Sequence, residues 1–386
     1  MPLPPTPIRV AVAGAGGIAS GVHLPALAAA GEAVRVTAVC DLDPARAGEL
    51  ADAHGIPGRY TDLDALLAAE SPDLLVVATP PVAHREAVIA GLRAGAWVWC
   101  EKPPTLSLAE YDEIAACEKE GGPYAAYVFQ HRSGSAARRL RRHLATGELG
   151  RPHVAVCNTL WYRGHDYFEV PWRAKWATEG GGPTMGHGIH QMDLLLDLLG
   201  DWDEVHAVAA TLGRRTETED VSFAIVRFAN GAIGSIVNSV LSPRETSYLR
   251  FDFTDATVEV EHLYGYDNSH WRWTPAPHVT DQDRIAGWQP EDDVPSSHRA
   301  QLGEVLAAMR AGERPPASGA DGRRVMELIT GMYQSAFTGR PVTRAELGPP
   351  NPFYHALNGG DPARAAAVLR REHEESREHE ESSSRD

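Results

Sequence analysis

Between Thr178 and Asp193 the chain reads TEGGGPTMGHGIHQMD, a glycine-rich turn with two histidines and a carboxylate that leads into the apolar run LLLDLL. His187, His190 and Asp193 recur at every third residue, so a helix starting near Gly186 would bring them close to one face. Three chemistries suit such a face. It could hold a metal, if three donors converge with groups behind them to orient them. It could move protons, because imidazole titrates near neutral pH. It could simply pack, with the histidines capping a buried helix start. Spacing alone does not choose among them. The glycines on either side of His187 make a regular helical register there doubtful, and we expect no metal.

A second stretch, VAVAGAGGIASGVHLPAL, sets Gly14-x-Gly16-x-x-Ala19 between an apolar strand and a helix. Gly14 permits a tight turn, Gly16 lets the backbone approach a pyrophosphate, and small Ala19 lets helix and strand pack closely. Gly17 and Ile18 complete the turn, and the helix N-terminus supplies N–H donors and a positive dipole end. A dinucleotide fits there. The second strand ends in Cys40-Asp41, about 25 residues past Gly16, where an acid accepts from the ribose hydroxyls and repels a 2′-phosphate. NAD is therefore expected over NADP, although Asp43 could be only a cap before Pro44.

A third stretch, AWVWCEKPPTLS, puts Glu101-Lys102-Pro103 at the carboxyl end of a strand, where doubly wound sheets present residues to their ligands. A Glu-Lys pair at a strand end is commonly a solvated surface feature. Here Lys occurs only at Lys102, Lys119 and Lys175, against a background of many arginines, so a compact titratable amine is of interest. A fourth stretch, LWYRGHDYFEVPWRAKW, mixes aromatic faces with polar forks at Tyr162, Arg163, His165, Trp172 and Arg173. That composition suits sugar rings, and equally a subunit contact.

The elements that must position these groups fall into two textures. Up to about residue 128, short continuously apolar runs alternate with helical patterns, which predicts a parallel sheet covered on both faces. Beyond Gln130, alternating segments such as VSFAIVRFANGAIGSIVNSV, with Asn230-Gly231 as a hairpin signal, predict a helix-flanked, mainly antiparallel sheet. Residues 297–310 and 319–337 read as helices able to pack on either domain. We expect an α/β chain with a doubly wound dinucleotide-binding domain over 1–129, a sheet domain over 130–345 and a charged, disordered tail over 361–386.

The 386 residues carry a formal charge of -16, which argues against a nucleic-acid partner. No apolar run reaches a membrane span, the first residues do not read as a signal peptide, and the four cysteines are scattered. A cytoplasmic enzyme with reduced cysteines is expected.

AGAGGIASGVHLPAL, VATPPVAH, CEKPPT and GGGPTMGHGIHQMD, in that order, resemble the glucose–fructose oxidoreductase / inositol 2-dehydrogenase (Gfo/Idh/MocA) family over about residues 8–345. The resemblance implies an N-terminal Rossmann domain, a C-terminal open-faced sheet, a nicotinamide cofactor and a sugar, cyclitol or polyol substrate. It implies that Lys102 contacts the reacting hydroxyl, that His190 is the acid/base, and that Thr79, Pro80, His84, Glu101 and Lys102 border the cofactor. It also implies a homodimer or homotetramer built through the sheet. One departure stands out. The family pattern D-x-G-x-H carries an Asp four residues before the histidine, where this chain has Gly186, which leaves His187 as a candidate replacement. Hydride transfer between a carbinol carbon and the nicotinamide is the expected reaction. The rival expectations are a redox-neutral epimerase or lyase with tightly bound NAD, and an inactive NAD-binding regulator.

Overall fold

The computed structural model describes residues 7–370. They form two compact units, one made of residues 7–105, Glu110–Ser133 and Ser296–Arg323, the other of Leu106–Ala109, Gly134–Pro295 and residues 324–370.

In the first unit β1 (Ile8–Ala13), β2 (Val34–Cys40), β3 (Gly58–Tyr60), β4 (Leu74–Val77), β5 (Trp97–Cys100) and β6 (Ala125–Tyr127) form one sheet in the order β3-β2-β1-β4-β5-β6. Every pairing is parallel, as strands without polar alternation require, since both faces must be covered. Val10, Val12, Leu74, Val76 and Trp99 are wholly buried, each aliphatic side chain contributing about 1.5–3 kcal/mol on removal from water. Asp43 caps the helix Pro44–His54 by accepting from the Ala45 N–H at 2.9 Å, the reading left open beside a ribose role. The helix His298–Ala311 adds Leu302, Val305, Leu306 and Met309 to this same core. The chain thus returns to the first unit late, which the division at 129/130 does not include, because an amphipathic period gives a helix a face without saying which sheet it covers.

In the second unit β7 (Pro152–Tyr162), β8 (Trp202–Ala210), β9 (Val221–Phe228), β10 (Ile233–Ser239), β11 (Leu241–Phe253), β12 (Ala256–His262), β13 (Trp271–Pro275) and β14 (Val342–Thr343) form a sheet in the order β13-β12-β11-β7-β10-β9-β8-β14. All neighbours are antiparallel except β7 and β10. The hairpin at Asn230-Gly231 joins β9 to β10. Inward residues such as Ile236, Leu249, Phe251 and Val258 are buried, whereas Val208, Phe223, Ile225 and Ile233 on the alternate positions are 44–61% exposed. Register places Phe223 opposite Val208 and Ile225 opposite Ser235, so these apolar side chains share one open face.

The expectation of a disordered tail from residue 361 fails for its first part. Residues 362–370 are helical, Ala365 and Leu369 are buried, and the Leu369 carbonyl accepts from the Thr211 N–H at 2.9 Å. Asp361 accepts from the Arg364 N–H and Pro362 follows it, a proper helix start. The two apolar residues four apart supply just enough anchoring. The charged run 371–386 lies outside the described residues. Among the described residues, no helix is long and apolar enough to cross a membrane, and Cys40, Cys100, Cys117 and Cys157 are all unbridged.

Candidate active site

The glycine turn leaves β1 at the carboxyl edge of the first sheet. Gly14 has φ +98°, and a Cβ there would lie 2.5 Å from the Ala78 carbonyl oxygen, so only glycine fits. A Cβ on Gly16 or Gly17 would meet nothing within 4 Å, which leaves open space above the turn for a ligand. Asp41, at the end of β2, accepts from the Ala15 N–H at 2.8 Å with one oxygen and from the Asp43 N–H at 2.9 Å with the other. Its carboxylate therefore braces the turn and stays part-exposed beside it, with lone pairs left for ribose hydroxyls. Ile18, Leu42 and Val82 are exposed large apolar residues of this unit, Leu42 at 91%. The open backbone cradle and the part-exposed acid fit a dinucleotide; such a group, when bound, supplies a hydride acceptor.

His84, expected to border the cofactor, is instead turned inward. It is fully buried, with Nδ1 2.7 Å from the Pro103 carbonyl and Nε2 2.9 Å from the Thr79 carbonyl. Burial holds its pKa below the usual imidazole value, and a neutral ring donates to one carbonyl at a time. The residue ties the Thr79-Pro80 loop to the loop holding Lys102 and Pro103, whose peptide bond is cis.

Glu101 is likewise inward. Its Oε1 lies 2.8 Å from His23 Nε2 and 3.2 Å from His298 Nε2, and its Oε2 accepts from the Lys102 N–H at 3.3 Å. Burial alone would raise its pKa, yet the hydrogen bonds and charge of the two imidazoles hold the carboxyl well below the usual range. Among the described residues, His23, Glu101 and His298 are also the side chains whose donor atoms converge within 4.8 Å of one another. His187, His190 and Asp193, which a continuous helix would bring onto one face, are split by the backbone. The helix runs Ile189–Leu199, preceded by a single turn at Pro183–Gly186, and His187 sits in the break with φ -122° and ψ -56°. His190 and Asp193 are helical and buried, and His187 approaches from outside that helix.

In the second unit the glycine–histidine segment is folded against distant side chains. A Cβ on Gly182 would lie 1.9 Å from the Glu219 carbonyl oxygen, a close approach that requires glycine. The Glu219 carboxylate accepts from the Gly182 and Thr184 N–H groups, both at 3.1 Å, and from the Tyr333 hydroxyl at 2.9 Å. Burial still pushes its pKa up to about 7. Beyond the turn, His187 Nε2 is 3.2 Å from the Tyr167 hydroxyl, which also receives an Arg173 N–H. Arg173 stacks over Tyr167 at 3.9 Å and lies 3.6 Å from Glu179, which accepts from the Ala174 N–H at 2.5 Å. A Cβ on Gly186 would be 3.3 Å from Glu179 Oε1. The carboxylate missing from position 186 thus has a neighbour in its place, supplied by Glu179.

Aromatic rings join the two histidines. His187 meets Trp161 edge-on at 5.2 Å, Trp161 meets Tyr264 at 6.1 Å, and Tyr264 meets His190 at 5.6 Å. Of the residues expected to meet substrate, Arg163 lies over Trp161 and Tyr167, and Trp172 lies under Arg173. Tyr162 is displaced, 47% exposed with Arg214 over its ring, because it alternates to the opposite side of β7 from Trp161. His165 is exposed. Sequence reading missed Trp161, Tyr167, Glu179 and Tyr264. The first two lie inside the aromatic stretch already singled out, and Glu179 lies in the opening motif.

Two family models match this chain. The oxidoreductase family with an NAD-binding Rossmann fold matches residues 8–127, and the GFO/IDH/MocA C-terminal domain matches residues 137–261. D-glucoside 3-dehydrogenase of Escherichia coli is 28% identical over 364 residues, covering 89% of this chain and 98% of that protein. D-apiose dehydrogenase of Paraburkholderia graminis is 27% identical over 348 residues, covering 85% and 88%. Among solved structures, the WlbA dehydrogenase of Bordetella pertussis in complex with NADH and UDP-GlcNAcA is similar, with TM-score 0.79 and 27% identity over 89% of this chain and 99% of that one. The two matched segments take in the glycine turn, the Glu101-Lys102-Pro103 stretch and the glycine–histidine motif, and the chain belongs to the Gfo/Idh/MocA family of NAD(P)-dependent oxidoreductases.

Proposed function

We propose that this chain oxidises a secondary hydroxyl of a sugar, cyclitol or related polyol with NAD, or runs the reverse reduction. The observation that carries the reading is the glycine turn braced by Asp41, with open space above Gly16 and Gly17. The substrate class follows the relatives, whose names are those of sugar dehydrogenases. In this reading bound NAD supplies the hydride acceptor. Lys102 donates a hydrogen bond to the reacting oxygen and stabilises its developing charge. His190 takes the hydroxyl proton. Glu179, through Arg173 and Tyr167, orients His187, which stands beside the substrate as a hydrogen-bonding group. Asp41 accepts from the ribose hydroxyls and selects NAD over NADP.

The same reading includes a homo-oligomer. Val208, Phe223, Ile225 and Ile233 form an exposed apolar sheet face, and a second copy of that face is the self-complementary cover it suits. A Phe223→Glu variant should elute later in size exclusion than the unmodified chain; identical elution argues against this face. Unbridged cysteines accord with a reducing, cytoplasmic setting.

The test of function is a panel of sugars and cyclitols with NAD, read as absorbance of the reduced nicotinamide. At least one member should give steady NADH formation. Tight NAD binding with substrate conversion but no net NADH would favour redox-neutral chemistry instead.

A further inference from the structure

A cavity of about 660 Å³ opens on the second unit, and among its lining residues are Arg173, Lys175, Arg214, Arg215, Arg370 and Glu217. Five cations and one acid around one hollow is a sharp local excess in a chain of net charge -16. Two of the guanidinium groups are fixed in place before any ligand arrives. Arg173 is held by Tyr167 and by the ring of Trp172 at 4.4 Å. Arg214 donates to the Arg163 carbonyl at 2.7 Å and lies over Tyr162 at 5.1 Å. Each keeps a buried N–H donor, Arg173 Nε and Arg214 Nη2, that meets no acceptor among the described residues. Lys175, Arg215 and Arg370 form no ion pair with a carboxylate of the described residues.

We propose that this cavity binds the phosphate-class anionic group of the substrate, so that a phosphate or diphosphate ester of a sugar is preferred over the neutral sugar. Planar guanidinium forks match phosphate oxygens in pairs, and an ammonium adds a compact charge. With Arg173 already paired to Glu179 at 3.6 Å and Glu217 in the lining, a surplus of three positive charges remains, which suits more than one negative charge. The volume lies within the range of small-molecule sites, about 300–1,000 Å³. The position suits a substrate subsite because Arg173 is shared. The guanidinium that lines the cavity also bonds the Tyr167 hydroxyl, which bonds His187. The anionic group would anchor the ester at the cavity while its ring extends toward the histidine segment. Lys175, one of three lysines in the chain, acquires a role that the dehydrogenase chemistry does not use. The inference rests on the proposed dehydrogenase activity for its substrate, and on the cavity alone for its anion.

The experiment has two arms on the full chain. In the first, inorganic pyrophosphate is titrated at fixed ionic strength into the unmodified protein, into R215A/R370A and into R215K/R370K. Binding should weaken about tenfold or more in the alanine pair and be largely retained in the lysine pair, which keeps the charge. In the second, kcat/KM is compared for a sugar and its phosphate ester with NAD. The ester should be preferred, and the preference should fall about tenfold or more in R215A/R370A. Absence of pyrophosphate binding, or equal binding by the alanine pair, overturns the anion site. Binding that depends on the arginines, with no preference for the ester, overturns the substrate assignment and makes the ligand a free anion. Turnover of a neutral sugar without pyrophosphate binding would sink this inference and leave the dehydrogenase reading standing. Arginine-dependent binding with no sugar reducing NAD would do the reverse.

Discussion

The glycine turn of the first unit and the glycine–histidine segment of the second use the same residue type for different ends. At Gly14 the backbone itself demands glycine, since φ is +98° and the Ala78 carbonyl crowds the Cβ position. Apart from that carbonyl at the end of β4, what the turn needs lies within one strand–turn–helix and the acid at the end of the next strand. At Gly182 and Gly186 the space belongs to side chains and backbone from elsewhere, Glu219 and Glu179. The first device can be lifted from chain to chain with its function intact. The second works only with the partners that this fold brings to it.

Breaking the second region should cost most. His190→Ala should lower turnover about 100- to 10,000-fold while NAD still binds, the usual span for a general acid/base; Lys102→Ala, in the first unit but outside its glycine turn, should fall in the same direction. Stopped-flow turnover beside NAD titration measures both, and near-normal turnover would remove that residue from the mechanism.

The pH dependence of stability should single out Glu219. Its folded pKa, about 7, lies above the ordinary unfolded value of about 4.3. Stability is thus fully present below the unfolded value and lost as pH rises toward 7, by about 4 kcal/mol in all. Urea midpoints of the unmodified chain and Glu219→Gln, compared at pH 5 and pH 8, should diverge in that sense. Parallel behaviour of the two would show that the carboxyl ionises freely in the folded state.

Glu179 sharpens the comparison, because its carboxylate stands next to Gly186. Glu179→Gln should lower turnover about 10- to 100-fold, the scale of a lost charge-assisted hydrogen bond. Gly186→Asp alone should also harm, by crowding two carboxylates, whereas the double variant should recover part of the loss. Failure of the double variant to exceed both singles would deny Glu179 this place.

The smallest effect is expected in the first region. Asp41→Ala should narrow the preference for NAD over NADP by about tenfold, measured by titrating each nucleotide. Stronger binding of NADP by the unmodified chain would contradict the assignment.

The same contrast explains what was legible. The parallel sheet, the glycine turn and Asp41 were readable because continuous apolar strands and φ-demanding glycines are local signals. Lys102 stood out by its scarcity and its place at a strand end. The helix His298–Ala311 was visible, but not its allegiance, because its partners Val10 and Trp99 lie about two hundred or more residues away in sequence. The break at His187 was hinted at by its flanking glycines. Its partner Tyr167 was not readable, since two aromatics in a loop carry no period. Glu179 was in view throughout, but only the folded chain places its carboxylate beside Gly186. Residues 362–370 read with the charged run because two apolar anchors are too few to register in composition.

Hydride transfer itself is the central claim, and an isotope tests it most directly. A sugar substrate deuterated at the carbinol carbon should deliver its label to the reduced nicotinamide, seen by mass spectrometry of the isolated NADH, with turnover slowed relative to the unlabelled substrate where the chemical step limits the rate. Label retained in the product or washed into water, with no deuterium in the nicotinamide, would contradict the account.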